Sequence, residues 1–312
     1  MSILACYAKG IRTASARPKI ILLLWAANVL FASIAYVLFA SVFASALGPS
    51  GAAAGLMKKA DMNVLLEAIV NSGRPMGVMQ AALFAVILIY FLVSIFLQGG
   101  ILRGLVESSP EARSGRVFFD GGARYYGRFF RLAFCSLLLW IAAAVVFIVL
   151  NIALRAVTKN STNEQLTFTL SLFKIAFVLF LVFLIKMIMD YARIRMVTRD
   201  ANKALPALLS SARYVFGHPG STLVLYYLLG LTGLSILALW RLVISPIRMT
   251  TAAAVWAGFF LTQLFIASRG WLHLAYQAAQ LVNFQSQKTL LLYNAVAPRS
   301  YDPHLRQGDS HV

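Results

Sequence analysis

Charged residues are scarce in this sequence of 312 residues, because only 12% are Asp, Glu, Lys or Arg while 60% are hydrophobic. A soluble globular domain carries about 25% charged and about 45–50% apolar residues. The mean hydropathy of +0.78 confirms the excess of apolar side chains. The composition therefore excludes an ordinary soluble domain and indicates an integral membrane protein.

Cysteine and histidine are also rare, and neither residue type forms a pattern. Cys6 and Cys135 lie in different segments, and two thiols alone make neither a disulfide framework nor a metal site. The four histidines show no metal-ligand spacing. The sequence contains no HExxH motif, no phosphate loop and no recognisable Ser/His/Asp set. We therefore predict that the protein is not an enzyme and that it uses no metal and no cofactor.

Six long apolar runs dominate the chain. Runs of about 18 or more apolar residues with few charges are typical of membrane-spanning helices. They cover residues 20–46, 76–98, 131–152, 167–189, 221–244 and 250–279. The first run is much longer than the roughly 7–15 apolar residues of a secretory signal peptide, so we interpret it as a retained span. The sequence predicts an all-α protein with one six-helix transmembrane domain over residues 1–296 and a disordered cytoplasmic tail over residues 297–312.

The excess of positive charge predicts the orientation. The chain has 28 Lys and Arg against 10 Asp and Glu, a formal net charge of +18. When the basic residues are divided between alternate flanks of the six runs, 20 fall on the side of the two termini. Lys and Arg accumulate on the cytoplasmic side of membrane proteins. We therefore expect both termini in the cytoplasm, with the basic residues near anionic lipids of that leaflet rather than bound to nucleic acid.

A basic and aromatic segment, GRVFFDGGARYYGRFFRLA at residues 115–133, precedes the third run. Arg116, Asp120, Arg124 and Arg128 recur at every fourth residue, which stacks them on one helical face and lets Asp120 pair with its arginine neighbours. Aromatic side chains cover the rest of the helix surface. A helix of this kind lies in the membrane interface. We interpret the segment as an interfacial amphipathic elbow helix, bent at its Gly-Gly pair.

A similar segment precedes the fifth run, with Asp200 as its predicted N-cap and residues 217–220 as its end. Ala123-Arg124-Tyr125 in the first segment matches Ala212-Arg213-Tyr214 in the second. A weaker copy precedes the first run. The chain is then either three repeats of one elbow–span–span unit or a set of basic, aromatic flanks such as many membrane spans carry.

Two groups of residues are candidate sites. The elbow arginines are candidates for binding lipid headgroups: Arg116, Arg124, Arg128, Arg131 and Arg213. At the inner end of the fourth run, Lys186, Asp190 and Arg193 share one helical face, and ionisable residues inside spans are functional candidates by default. These three residues either bind a lipid phosphate or form a gate, or they are a self-compensated network that anchors a helix end; we favour the anchor.

Two blocks resemble a known family: FFDGGARYYGRFFRL, and DYARIRMVTRDANKALPALLSSARY with its amphipathic helix before an odd-numbered span. Both are similar to segments of a family of bacterial six-helix membrane domains. The family includes the membrane part of some glycerophosphodiester phosphodiesterases and related stand-alone proteins of unknown function. The resemblance implies a bacterial plasma (inner) membrane and proximity to lipid. It supplies no catalytic residues, because this sequence has no soluble phosphodiesterase domain.

Two functions are compatible with these features. The first is a non-enzymatic scaffold or accessory subunit of a larger membrane complex, because the spans carry apolar faces and their charges avoid the middle. The alternative is a transporter or flippase for lipids or other amphiphiles, which requires an internal cavity or a lateral opening. The expected partners are lipids of the cytoplasmic leaflet and, for the first function, other membrane-protein subunits.

Overall fold

The computed structural model describes residues 2–47, 76–107, 115–158, 164–247 and 250–296, and within these ranges the chain is helical and forms no strand. The helices are α1 (Ile3–Ser15), α2 (Pro18–Leu47), α3 (Met76–Val106), α4 (Gly115–Thr158), α5 (Glu164–Thr198), α6 (Ala204–Gly217), α7 (Pro219–Ile244) and α8 (Ala252–Val296). Six of them, all but α1 and α6, are long and apolar enough to cross a membrane. The prediction of an all-α, multi-pass membrane protein is confirmed. The expected tail, residues 297–312, lies outside the described residues.

The basic, aromatic segment and the third span form one continuous helix, α4, which includes Gly121 and Gly122, and the bend expected at these glycines stays a prediction. Gly122 of α4 and Gly100 of α3 allow these two helices to pack closely. A Cβ atom on Gly122 would come within 2.7 Å of the Phe96 ring, and one on Gly100 within 2.6 Å of the Phe118 carbonyl oxygen. Because neither helix has room for a side chain there, the glycines mark a helix crossing.

The turn between α5 and α6 differs from the prediction in its capping residue. The N-cap of α6 is Lys203, and Asp200 lies in the turn before it. Asp200 has a φ of 49°, in the left-handed region that Asp tolerates better than most residues. The predicted end of α6 is confirmed, because α6 stops at Gly217 and α7 begins at Pro219, where a missing N–H costs nothing.

The last helix continues well beyond the predicted end of its span, to Val296, and α1 packs on this helix. Gly10 of α1 lies against Ala279, since a Cβ atom on Gly10 would come within 2.5 Å of the Ala279 Cβ. The first helix is therefore packed on the last.

The three basic, amphipathic segments all pack at one end of the bundle. The segment α1 packs on α8, the first turns of α4 pack on α3, and α6 packs on α5. Buried side chains concentrate in the same region: in α4 they lie between Phe118 and Ser136, and in α5 between Ile185 and Val197. We call this region the packed end. The other half of the spans, the open end, carries exposed apolar side chains such as Ile148 and Phe173.

Candidate functional site

The predicted polar group on α5 lies on the wall of a cavity. Asp190 accepts a hydrogen bond from Arg193 Nη1 at 3.1 Å, and both side chains are largely buried. Lys186, one turn earlier, lines the same cavity. The predicted spacing therefore brings the three residues together, but only two of them form an ion pair.

This main cavity has a volume of about 780 Å³ and lies between α3, α4, α5, α7 and α8. Its apolar wall includes Phe91, Trp140 and Phe183, and its polar wall includes Ser136 and the α5 residues. A second cavity of about 600 Å³ lies between α2, α3 and α8, with Lys186 of α5 at its edge. The two cavities meet at one polar centre, which both of them share: Gln98, Lys186, Arg269 and His273.

Two cations of this polar centre have no acidic partner. The Lys186 and Arg269 side chains are both exposed to the cavities. In the part of the chain that the structure describes, neither of them has a carboxylate oxygen within 4.0 Å, whereas Arg193 is neutralised by Asp190. The centre therefore carries two positive charges available to an anion.

The chemistry of the two cations is complementary. An Arg guanidinium can bind two oxygens of a phosphate or carboxylate at once, while a Lys ammonium acts as a flexible point charge. His273 stands beside them and its Nε2 lies 3.1 Å from Gln277 Nε2. The centre is suited to bind one small anionic group.

Both cations lie well inside apolar helices rather than at their ends. Arg269 is 17 residues beyond Ala252, the start of α8, which corresponds to about 26 Å of helix. Lys186 is 12 residues before Thr198, the end of α5, or about 18 Å. The hydrocarbon core of a bilayer is about 30 Å thick. The polar centre therefore lies along the length of these apolar helices, on α5 nearer the packed end than the open end.

The elbow arginines do not converge on this centre. Arg124 Nη2 donates to Asp200 Oδ2 at 2.9 Å, and Arg128 Nη1 donates to Asp200 Oδ1 at 2.5 Å. The expected pairing of Arg124 with Asp120 is wrong, because the left-handed turn after α5 brings Asp200 to Arg124 instead. The hydrogen bonds from Arg128 and then Arg124 hold the pKa of Asp200 below its usual range. This ion-pair cluster joins α4 to the α5–α6 turn.

The other three candidate arginines lie apart from one another on the outside of the molecule. Arg116, Arg131 and Arg213 are exposed, and Arg131 Nε donates to the Gly127 carbonyl oxygen at 3.2 Å. None of the five elbow arginines contributes to either cavity among the described residues. Their role in binding lipid headgroups stays a prediction.

Sequence reasoning missed the α8 half of the polar centre. It assigned Arg269 to the basic flank of the sixth span and gave His273 no role. One signal was present: the apolar window of α8 has a mean hydropathy of only 1.3, against 2.0 to 2.8 for the other spans. Arg269 and His273 are also four residues apart, so they share one helical face.

A row of buried amides continues from the polar centre toward the packed end. Gln277, Gln280 and Asn283 recur at every third residue of α8 and are nearly inaccessible. Asn283 Nδ2 donates to the Tyr191 hydroxyl at 3.1 Å. In contrast, both amide atoms of Gln280 lack a hydrogen-bond partner in the described part of the protein. A buried amide without a partner is unusual because it costs free energy.

Comparisons with known proteins place the chain in no family: no family model, no curated protein and no solved structure matches it. The resemblance to bacterial six-helix membrane domains therefore stays a prediction. Within the described ranges, no three His, Cys, Asp or Glu side chains are grouped so that they could hold a metal ion.

Proposed function

We propose that the protein is a transporter or flippase for anionic amphiphiles, whose anionic group binds between Lys186 and Arg269. One observation carries the proposal: two cations without an acidic partner face a common centre inside apolar helices. The apolar cavity walls on both sides of that centre suit a hydrocarbon chain, and the cations suit its headgroup.

Electrostatics favours a ligand over a purely structural role. A basic residue inside a membrane helix costs free energy, up to about 2.5–3.5 kcal/mol at the centre of the helix on insertion scales. Two cations that line the same cavities from α5 and α8 also repel, and a bound phosphate or carboxylate offsets both costs. An ion pair such as Asp190–Arg193 needs no such ligand.

The proposal extends to the topology of the chain. We place the packed end in the cytoplasm of a bacterium, with both termini there, because the basic flanks predict this orientation. We also propose that the three elbows are repeats. In each elbow a buried small residue precedes an arginine by two positions: Gly10 and Arg12, Gly122 and Arg124, Ser211 and Arg213.

A scaffold or accessory subunit is the second candidate. Its support is the apolar surface of the open end, where Trp256 and Phe260 are among the exposed side chains. A partner subunit would cover that surface, but so would the bilayer itself. The transporter proposal accounts for the same surface and also for Lys186 and Arg269, so we prefer it.

The direct test is to purify the protein gently from membranes and to identify the retained lipids and proteins by mass spectrometry. We expect about one anionic lipid per protein in the wild type, and at least a roughly tenfold loss in the double variant Lys186→Gln/Arg269→Gln, because each lost charge contact is worth more than about 1 kcal/mol. Lys174→Gln and Arg241→Gln are matched controls, because these cations lie on the same kinds of helix but line neither cavity.

The same experiment can overturn the proposal. If the double variant retains as much anionic lipid as the wild type, the polar centre is not the binding site. If a protein partner copurifies in stoichiometric amount and lipid does not, the scaffold candidate replaces the transporter. Transport itself is measured in proteoliposomes, where the wild type should move a fluorescent anionic lipid between leaflets and the double variant should not.

A further inference from the structure

We infer that the ligand is a lipid with two acyl chains, with its phosphate at Lys186 and Arg269 and one chain in each of the two cavities beside α3. This inference rests on the proposed function and specifies its substrate class. It starts from the division of the apolar space into two arms that meet only at the polar centre.

The main cavity provides the first arm. From the polar centre it runs along α4 from Ala133 to Trp140, a length of about 10 Å. Phe91 and Phe183 form its apolar walls on α3 and α5, and Gly230 leaves room on the side of α7. Since α4 begins at the packed end, this arm leads toward the open end.

The second cavity provides the other arm, on a neighbouring face of α3. It runs along α2 from Leu24 to Ala32, a length of about 12 Å. Tyr90 and Ser94 of α3 line it beyond Gln98. Because α2 also begins at the packed end, this arm leads in the same direction as the first.

Two similar arms that leave one cationic centre in the same direction match the shape of a diacyl lipid in one leaflet. A single-chain amphiphile would fill one arm and leave the other without packing partners, which forfeits dispersion contacts. The two cations of the centre, which have no acidic partner among the described residues, suit one phosphate group. The same cations could bind free phosphate, but the apolar arms would then contribute nothing.

The inference is tested by narrowing each arm separately. Ala27→Phe fills the second cavity and Leu137→Trp fills the main cavity, because each residue lines only that cavity. The matched controls are Ala26→Phe and Leu138→Trp, whose exposed positions belong to neither cavity. Lipid-depleted protein is titrated with diacyl phosphatidylglycerol, with its single-chain lyso form and with inorganic phosphate, and the bound species are counted by native mass spectrometry.

We expect the wild type to bind one diacyl phosphatidylglycerol more than about tenfold more tightly than the lyso form, because a second buried chain adds many methylene groups. Each cavity variant should bind the diacyl lipid about as weakly as the lyso form, while the affinity for the lyso form is unchanged. The two controls should match the wild type, and inorganic phosphate should not displace the lipid.

Three results would overturn the two-chain inference: equal affinity for both lipids, two lyso molecules bound per protein, or displacement by inorganic phosphate. None of these contradicts the proposed function as long as Lys186→Gln/Arg269→Gln still abolishes lipid binding. If that double variant binds both lipids normally, the proposed function fails as well, so the two failures are distinguishable.

Discussion

The packed end and the open end belong to the same helices but differ in how those helices meet. In α5, the residues from Ile185 to Val197 are largely buried, whereas Phe168 and Phe173 near the other end are exposed. Apolar side chains are abundant in both stretches, although the first also carries Lys186, Asp190 and Arg193. In a membrane an apolar side chain gains little by contacting another helix instead of lipid, so hydrophobicity alone does not bring helices together.

What distinguishes the packed end is small residues and specific polar contacts. Glycines and alanines bring backbones close, as at Gly10 on Ala279. Hydrogen bonds join helices that are distant in sequence: Tyr7 with Thr232 at 2.8 Å, and Trp25 Nε1 to Gln263 Oε1 at 3.0 Å. Packing in this protein therefore depends on steric fit and polar complementarity. At the open end the apolar side chains stay exposed or line the two cavities.

The largest loss of thermal stability is expected from Gly122→Leu at the packed end. A Cβ atom there would meet the Phe96 ring at 2.7 Å, so the variant must separate α3 from α4. Overpacking of this kind typically costs about 1–3 kcal/mol or more. We expect a clearly lower melting temperature in detergent. The matched control is Gly127→Leu in the same helix, where a Cβ atom meets nothing within 4 Å; equal losses in both variants would contradict the close-packing role.

The next largest effect is expected from Gln280→Met, which should raise the stability of the protein. Because both amide atoms of Gln280 are buried without a partner, an apolar side chain of similar length should stabilise the protein by about 1 kcal/mol. Gln263→Met should destabilise it instead, since Gln263 accepts the Trp25 hydrogen bond. Thermal unfolding of both variants checks the pair. A lower melting temperature for Gln280→Met would mean that a bound water or ligand satisfies the amide.

A smaller effect is expected from Asp200→Asn, which removes the carboxylate that joins Arg124 and Arg128 to the α5–α6 turn. The pKa of Asp200 is lowered in the folded protein. Its stabilisation is therefore fully present above the unfolded value of about 3.9 and is lost as the pH falls through the lower folded value. The wild-type advantage over Asp200→Asn should be constant from about pH 7 to about pH 5 and should vanish in stronger acid.

The control for this pH dependence is Asp120→Asn, which replaces an exposed carboxylate on α4 that forms none of the ion pairs described above. Melting temperatures are measured across the acid range for both variants. If Asp120→Asn lowers the melting temperature as much as Asp200→Asn, the pairing expected from the helical spacing alone is the correct one.

The smallest effect is expected at the open end. Ile148 is 55% exposed, and Ile148→Ala removes apolar surface that faces lipid. We expect a change within about 0.5 kcal/mol, as for substitutions away from packed contacts. Measurement of thermal unfolding in detergent and in lipid nanodiscs tests this, and a loss of several kcal/mol would show that a partner helix covers this surface.

The sequence predicts which residues are close along one helix, but it does not predict which helices are neighbours. Much of the fold depends on the first property, whereas much of the candidate site depends on the second. The spacing of Lys186, Asp190 and Arg193 is local, because residues three and four apart share a helical face, and the structure brings these three together. Arg269 is more than 80 positions from Lys186, and nothing in either segment specifies that α5 and α8 are neighbours. The partner of Arg124 was misassigned in the same way, since the local candidate Asp120 loses to Asp200.

Composition and hydrophobic pattern are enough to identify a multi-pass, all-helical membrane protein with basic, amphipathic segments before its odd-numbered spans. Apolar run length and helical periodicity are short-range properties, so they can be read from the chain. The three-dimensional packing is needed to know which helices meet, which glycines lie at crossings and that two cations line the same two cavities. These depend on the complementary shape and charge of surfaces far apart in sequence, which a one-dimensional pattern does not contain.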